Sequence, residues 1–265
     1  MRTLETLVAV NASHADGDEV GELLAGGNVG RVWRVGDTVR RETGPWSPAV
    51  HRLLRHLEGM PAVPRFHRID EHGREVLDYL PGRIVHVDRA VLSDAQLVAV
   101  GVWARQLHEA TSSFTDPGPW RFEGPPGADL IGHNDIAPYN ICFNGDILIG
   151  VFDWDLAGPT TILFELGFIA WNCVPLYRRP DVADADSWAA ARLRLLANAY
   201  GGVDPFDVLR ATVSRTEHTI TGIQAAAAAG DIGMQRFMET TGEPGLTRRA
   251  LDTLRSRVPA IGKRL

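Results

Sequence analysis

Period-two alternation dominates the chain up to about residue 80, and helical spacing takes over after residue 93, interrupted by one hairpin. Between 23 and 41 the segment LLAGGNVGRVWRVGDTVRR reads as strand, glycine bend, strand, Gly-Asp turn and strand. Val50, Leu53, Leu54 and Leu57 then share one face of a helix predicted over 47–58, with Pro48 in its first turn. Strands are predicted at 66–69 and 75–80 around a polar turn at 71–73, and Pro81 and Gly82 turn the chain away. Residues before 20 alternate weakly and read as a short strand and a loop.

From Ser93 the pattern changes. Ser93 and Gln96 form a capping box ahead of a stripe of Leu97, Val100, Trp103, Ala104 and Leu107. A segment rich in Pro, Gly and Ser, 111–128, leads to two short apolar runs, 141–143 and 147–152, joined by Asn144, Gly145 and Asp146 as a tight hairpin. Helices are predicted over 161–172, 187–200 and 246–258, and a long one opens at Asp204 and Pro205 by cap and first-turn rules. Phe206, Leu209, Val213, Ile220 and Ile223 form its stripe. The class is α+β: a small antiparallel sheet with one helix over 1–80, and a larger, mainly helical portion over 81–265.

Charge narrows the partners. The net charge of −6 comes from acids and bases mixed along the sequence, which leaves no basic footprint for nucleic acid or an anionic membrane. Neither end carries a leader-like or membrane-spanning apolar run, and Cys142 and Cys173 fall in apolar patterns as buried thiols, so a soluble, cytoplasmic protein acting on small molecules is expected.

The chemistry concentrates in IGHNDIAPYNICFNGDILIGVFDWDLAG, 131–158. His133, Asp135, Asn140 and Asp153 are polar positions in apolar surroundings, and the hairpin brings Asn140 back towards Asp153. His-x-Asp followed by four residues and Asn has the spacing of a kinase catalytic loop. In that chemistry Asp135 accepts or orients the proton of an attacking hydroxyl, Asn140 and Asp153 hold Mg²⁺ against the phosphates of ATP, and His133 braces the loop. Each residue alone reads as readily as a turn or cap, but the ordered set favours catalysis. Gly26, Gly27 and Gly30 would let backbone N–H groups approach the phosphates, or would serve a hairpin needing positive φ. Arg41, two residues beyond Val39 on the same strand face, stands where a phosphate-binding Lys is usual. The acid expected on the following helix to pair with it is missing, since Val50 and His51 occupy the region. Asp155 is either a second metal-facing acid or the cap of the next helix.

These motifs resemble the aminoglycoside phosphotransferase family, small-molecule kinases related in fold to protein kinases. The resemblance rests on His133, Asp135, Asn140 and Phe152-Asp153-Trp154-Asp155, with Glu165-Leu166 as the family's acid-Leu pair. It implies a two-lobed kinase-like fold and a hinge at Asp78, Tyr79 and Leu80 whose backbone meets adenine. It also implies Glu165 bracing the catalytic loop, and ATP- and Mg²⁺-dependent phosphorylation of a hydroxyl-bearing small molecule. Asp181, Asp184, Asp186, Glu217, Asp231 and Glu239 are acids available to a cationic acceptor, though interspersed charges normally form a solvated face. The Arg in place of Lys and the missing helix acid leave a second reading, a pseudokinase that senses a nucleotide or metabolite without turnover.

Overall fold

The computed structural model of the chain describes residues 21–24, 31–87, 90–178 and 180–265. The strand expected before residue 20 and the glycine bend at Gly26, Gly27 and Gly30 lie outside them.

β1 (Glu22–Leu24), β2 (Val32–Val35) and β3 (Thr38–Arg41) form an antiparallel meander, with Gly36 at φ 60° in the tight turn between the last two. α1 (Ser47–His56) follows, then β4 (Phe66–Ile69) and β5 (Glu75–Asp78). The sheet order is β1-β2-β3-β5-β4, so α1 carries the chain to the outer edge and β5 returns to fill the gap beside β3. Val50, Leu53 and Leu54 of α1 are buried in a core with Phe66 and Leu77 of that sheet. This is the small antiparallel lobe with one helix that the alternation predicts.

β6 (Arg83–Ile84) pairs with β8 (Ile141–Asn144), and β8 with β9 (Ile147–Val151), while β7 (Leu130–Gly132) pairs with β10 (Gly158–Thr160). Around these short ribbons pack α2 (Asp94–Thr111), α3 (Ile162–Cys173), α4 (Ala185–Tyr200), α5 (Pro205–Ala228), α6 (Ile232–Thr241) and α7 (Gly245–Gly262). The Ser93–Gln96 capping box starts α2, and the whole predicted stripe Leu97, Val100, Trp103, Ala104 and Leu107 is buried. Two bonds tie the helical part to the loop after α1: Trp103 Nε1 donates to Pro61 O (2.9 Å) and Val151 N to Ala62 O (2.8 Å).

The sequence reading missed β6, β7, β10 and α6. The strands are two or three residues long, too short to display a period. α6 carries only a short apolar stripe, Met234, Phe237 and Met238, which is half-buried; it is started by Asp231, whose side chain accepts from Met234 N. Among the described residues no helix is long and apolar enough to cross a membrane.

α3 and α5 cross closely because Gly167 has no side chain: a Cβ there would lie 2.7 Å from the Ala211 carbonyl. Gly222 of α5 faces open space. Gly167→Ala should therefore destabilise the fold by about 1–3 kcal/mol through overpacking, while Gly222→Ala should stabilise it by about 0.5–1 kcal/mol through helix propensity alone. Urea midpoints of the two variants check this; a fall in both would show that α5 is strained at Gly222.

Candidate active site

β7 ends at Gly132 and hands the chain to His133, Asn134 and Asp135, a bend in which Asn134 takes a left-handed conformation at φ 61°. The bend is held from beneath. Glu165 of α3, fully buried, accepts from Asn134 N through Oε1 (2.6 Å) and from His108 Nε2 through Oε2 (2.5 Å), and His108 Nδ1 meets Tyr200 Oη (2.9 Å). Burial alone would raise the Glu165 carboxyl, but the His108 and Asn134 donors hold it below its ordinary value. A Cβ on Gly132 would fall 2.2 Å from Glu165 Oε2, so only glycine lets the strand pass this carboxylate. From α5, Arg215 Nη2 donates to Asn134 O (3.0 Å) and Nη1 to Thr219 Oγ1. Its buried guanidinium lies over Phe122, Phe164 and Phe168, and burial pushes its pKa down to about 10.

On this support His133 is completely buried. Its Nδ1 accepts from Asp135 N (3.2 Å) and its Nε2 donates to Phe152 O (3.1 Å), so the neutral tautomer links the loop to the end of β9. Burial lowers its pKa further from the charged form. The ring packs against Trp154 at 4.6 Å between centroids, and with these two hydrogen bonds it ties the loop to the end of β9. Asn140 closes the turn Pro138–Asn140; its Nδ2 donates to Asp135 Oδ2 (2.7 Å) and Asp135 O (3.0 Å), while Tyr139 Oη donates to Asp135 Oδ1 (3.2 Å). Burial, and then the charge of Asp153, push the Asp135 carboxyl up to about 7. With its nitrogen given to Asp135, Asn140 has its hard amide oxygen to offer a cation.

Phe152 N donates to Asn140 O (3.0 Å), so the hairpin predicted from 141–152 does return its far end to Asn140. Asp153 follows in a left-handed conformation (φ 63°, ψ 66°), its carboxylate 47% exposed, while Trp154 beside it is buried with Nε1 on Val151 O (3.0 Å). A non-glycine residue held at positive φ is a local cost that the buried tryptophan next to it helps to fix.

Arg41 meets this site from the other lobe. The β3–β5 register sets it opposite Glu75, and its Nε lies 2.9 Å from Glu75 Oε1. Nη1 pairs with Asp153 Oδ1 (3.3 Å) and Nη2 with Asp155 Oδ1. Three carboxylates thus raise its pKa against the effect of burial. Glu75 Oε2 is in turn 2.6 Å from His51 Nε2, whose ring stacks on Phe66 at 3.9 Å. The acid that the sequence reading sought on the helix is supplied by β5 instead, and the helix contributes His51 to hold it. Only the strand register reveals this, and a single sequence does not show register. Arg40, on the opposite face, is buried and bonds Thr38 Oγ1 (2.5 Å). Asp155 is no helix cap: Thr161 caps α3, and Asp155 pairs with Arg41 and with Arg121 (3.6 Å).

At the expected hinge, Asp78 N donates to Arg65 O (3.1 Å) and Tyr79 N to Asp37 O (2.9 Å). Those N–H groups are engaged within the small lobe.

Glu165→Gln should cost about 3 kcal/mol, because an amide cannot accept from both His108 and Asn134 without turning a donor against a donor. The folded carboxyl lies below its ordinary 4.5, so the stability it lends is whole above that pH and is lost as pH falls through the lower folded value. Urea midpoints between about pH 6 and 3 should fall less steeply in the variant than in the native chain; parallel curves would remove Glu165 from the acid response.

The phosphotransferase enzyme family profile matches residues 120–206, the stretch that carries this loop and hairpin. A trifolitoxin immunity protein from Rhizobium leguminosarum bv. trifolii is 37% identical over 193 residues, covering 67% of this chain and 73% of that protein. Two solved structures share the fold. A choline/ethanolamine kinase family protein from Mesorhizobium loti superposes with a TM-score of 0.53 at 16% identity, over 89% of this chain and 86% of that one. The aminoglycoside phosphotransferase APH(2″)-IIa, in its ternary complex with streptomycin and ATP, gives 0.51 at 11% identity, over 81% and 89%. The loop geometry, the family profile and the relative agree: the chain belongs to the phosphotransferase enzyme family and is built on the fold of small-molecule kinases.

Proposed function

We propose that the protein transfers the γ-phosphoryl group of ATP, with Mg²⁺, to a hydroxyl of a small molecule. The reading rests on one observation, the Asp135–Asn140 hydrogen bond set beside Asp153 at the mouth where Arg41 enters. Mg²⁺ takes hard oxygen ligands, usually one or two from protein and the rest from phosphates and water. Asn140 and Asp153 fit that demand. One amide oxygen and one carboxylate make a donor set that suits a cation shared with a nucleotide. When bound, the ion would neutralise phosphate charge. Arg41, anchored by Glu75, is the cation for the phosphates once Asp153 and Asp155 exchange it for them.

Asp135 would orient the acceptor hydroxyl and take its proton. Its carboxyl titrates near neutrality largely because it is buried beside the charge of Asp153, and a cation at Asp153 would relieve the second of these causes. Positioning and charge neutralisation then supply most of the acceleration. A cytoplasmic location, where ATP and Mg²⁺ are present, suits this chemistry. The name of the relative, an immunity protein, would fit a protective role for this chain, in which an added phosphate alters the charge and hydrogen bonding of a harmful molecule. The nucleotide-sensor reading is favoured by one feature, the Arg41 clamp across Asp153 and Asp155, which nucleotide must displace.

Asp153→Ala should abolish Mg²⁺-dependent ATP binding by calorimetry. Asp135→Ala should bind Mg²⁺ and ATP within about threefold of the native chain while turnover falls by about a thousandfold, read as phosphate gain by mass spectrometry across hydroxyl-bearing antibiotics and metabolites. Normal turnover in Asp135→Ala would refute its role, and tight ATP binding with no phosphorylated product from the native chain would favour the sensor.

A further inference from the structure

Beside the Asp135 loop a cleft of about 180 Å³ opens between α3, α5, α6 and the start of α7. Tyr139 joins the two: it lines the cleft and donates through Oη to Asp135. Phe168, Trp171 and Phe237 supply three further aromatic walls, and Ile223 adds apolar surface. Glu243 is the one carboxylate among the described residues of the lining. Its Oε2 accepts from Thr247 N (3.1 Å), and Oε1 takes no part in that bond.

We infer that this cleft takes an acceptor with a flat, apolar body and a single positive charge, and that it selects against polycationic sugars. The inference rests on the phosphotransfer reading and adds the substrate class. A polycation needs several carboxylates to replace its hydration, and this lining has one. Behind the lining, the buried Arg215 guanidinium bonds Thr219, a cleft residue, and so opposes any second cation. None of the other acids named from the sequence lines the cleft, and four are engaged elsewhere: Asp184 caps α4 and meets Arg264, Asp186 pairs with Arg257, Glu217 with Arg255, and Asp231 caps α6. Aromatic faces favour both a planar body and one nearby cation, which Glu243 can complete. In the transfer, the acceptor oxygen bonds the γ-phosphorus, the bond from that phosphorus to the β,γ-bridging oxygen breaks, ADP leaves, and the hydroxyl proton passes to Asp135.

The test uses a matched pair of probes, N-benzylethanolamine, cationic at neutral pH, and its neutral ether counterpart 2-benzyloxyethanol, with kanamycin as the polycation. Phosphate transfer from ATP with Mg²⁺ is followed by mass spectrometry, and binding by saturation-transfer NMR. The native chain should favour the cationic probe over the ether by about tenfold in kcat/KM, and over kanamycin by more. Glu243→Gln should erase the first preference through KM. Phe237→Ala, on a helix with no buried residue, should raise KM for both aromatic probes without threatening the fold. A preference for kanamycin, a charge preference that survives Glu243→Gln, or no binding of either aromatic probe overturns the inference. If ATP hydrolysis persists in those cases, phosphotransfer stands and only the substrate class falls; if the native chain neither binds nor hydrolyses ATP, both fall.

Discussion

The Glu165 carboxylate has no access to water, yet it stays ionised because a histidine and a backbone amide both point at it. An isolated charge so deeply buried would be expelled or protonated, so its donors must be in place before the fold can contain it. One of those donors is Asn134 N, in the bend that carries Asp135. The position of Asp135 is therefore a consequence of solvating Glu165: the bend cannot move without leaving a buried anion short of a hydrogen bond. Arg215 adds the same constraint from the other side, since its guanidinium needs the Asn134 carbonyl as much as the bend needs the guanidinium. Two buried ions of opposite charge, from α3 and α5, thus grip one residue, and the close crossing of these helices at Gly167 brings them together.

From the small lobe, Arg41 reaches the carboxylates that follow the β-ribbon. Arg41 engages Glu75 within its own sheet and Asp153 and Asp155 across the cleft, so one guanidinium is both anchored and shared. The planar fork of Arg suits this division, with Nε turned to one carboxylate and the two Nη atoms to others, where the single ammonium of Lys would meet fewer partners at fixed angles. The register sets Glu75 directly opposite Arg41 on the ladder, so the cation and its acid partner come from neighbouring strands.

What could be read from the sequence was local. Ser93 with Gln96, Asp204 with Pro205, and the hairpin through Gly145 each specify their geometry within a few residues, and the structure places them as the spacing predicts. His133, Asp135, Asn140 and Asp153 lie within one loop and ribbon, so their order along the chain constrains their order in space. Arg215 does not share that property; it reaches Asn134 across 81 residues, and nothing about an arginine in a helical stripe marks it as buried. Glu75 was hidden in the same way by register. α6 went unread because its stripe of Met234, Phe237 and Met238 is short and only half-buried.

Electrostatics joins these parts. The charge of Asp153 raises the cost of ionising the buried Asp135, Asp155 adds a third carboxylate nearby, and Arg41 reaches both Asp153 and Asp155. A proton on Asp135 near neutral pH offsets part of that excess negative charge. A divalent ion at Asn140 and Asp153 would offset it more completely, and in doing so would favour the ionised form of Asp135 that can receive a proton. The burial that places Asp135 in this loop therefore makes its ionisation sensitive to the charge set beside it.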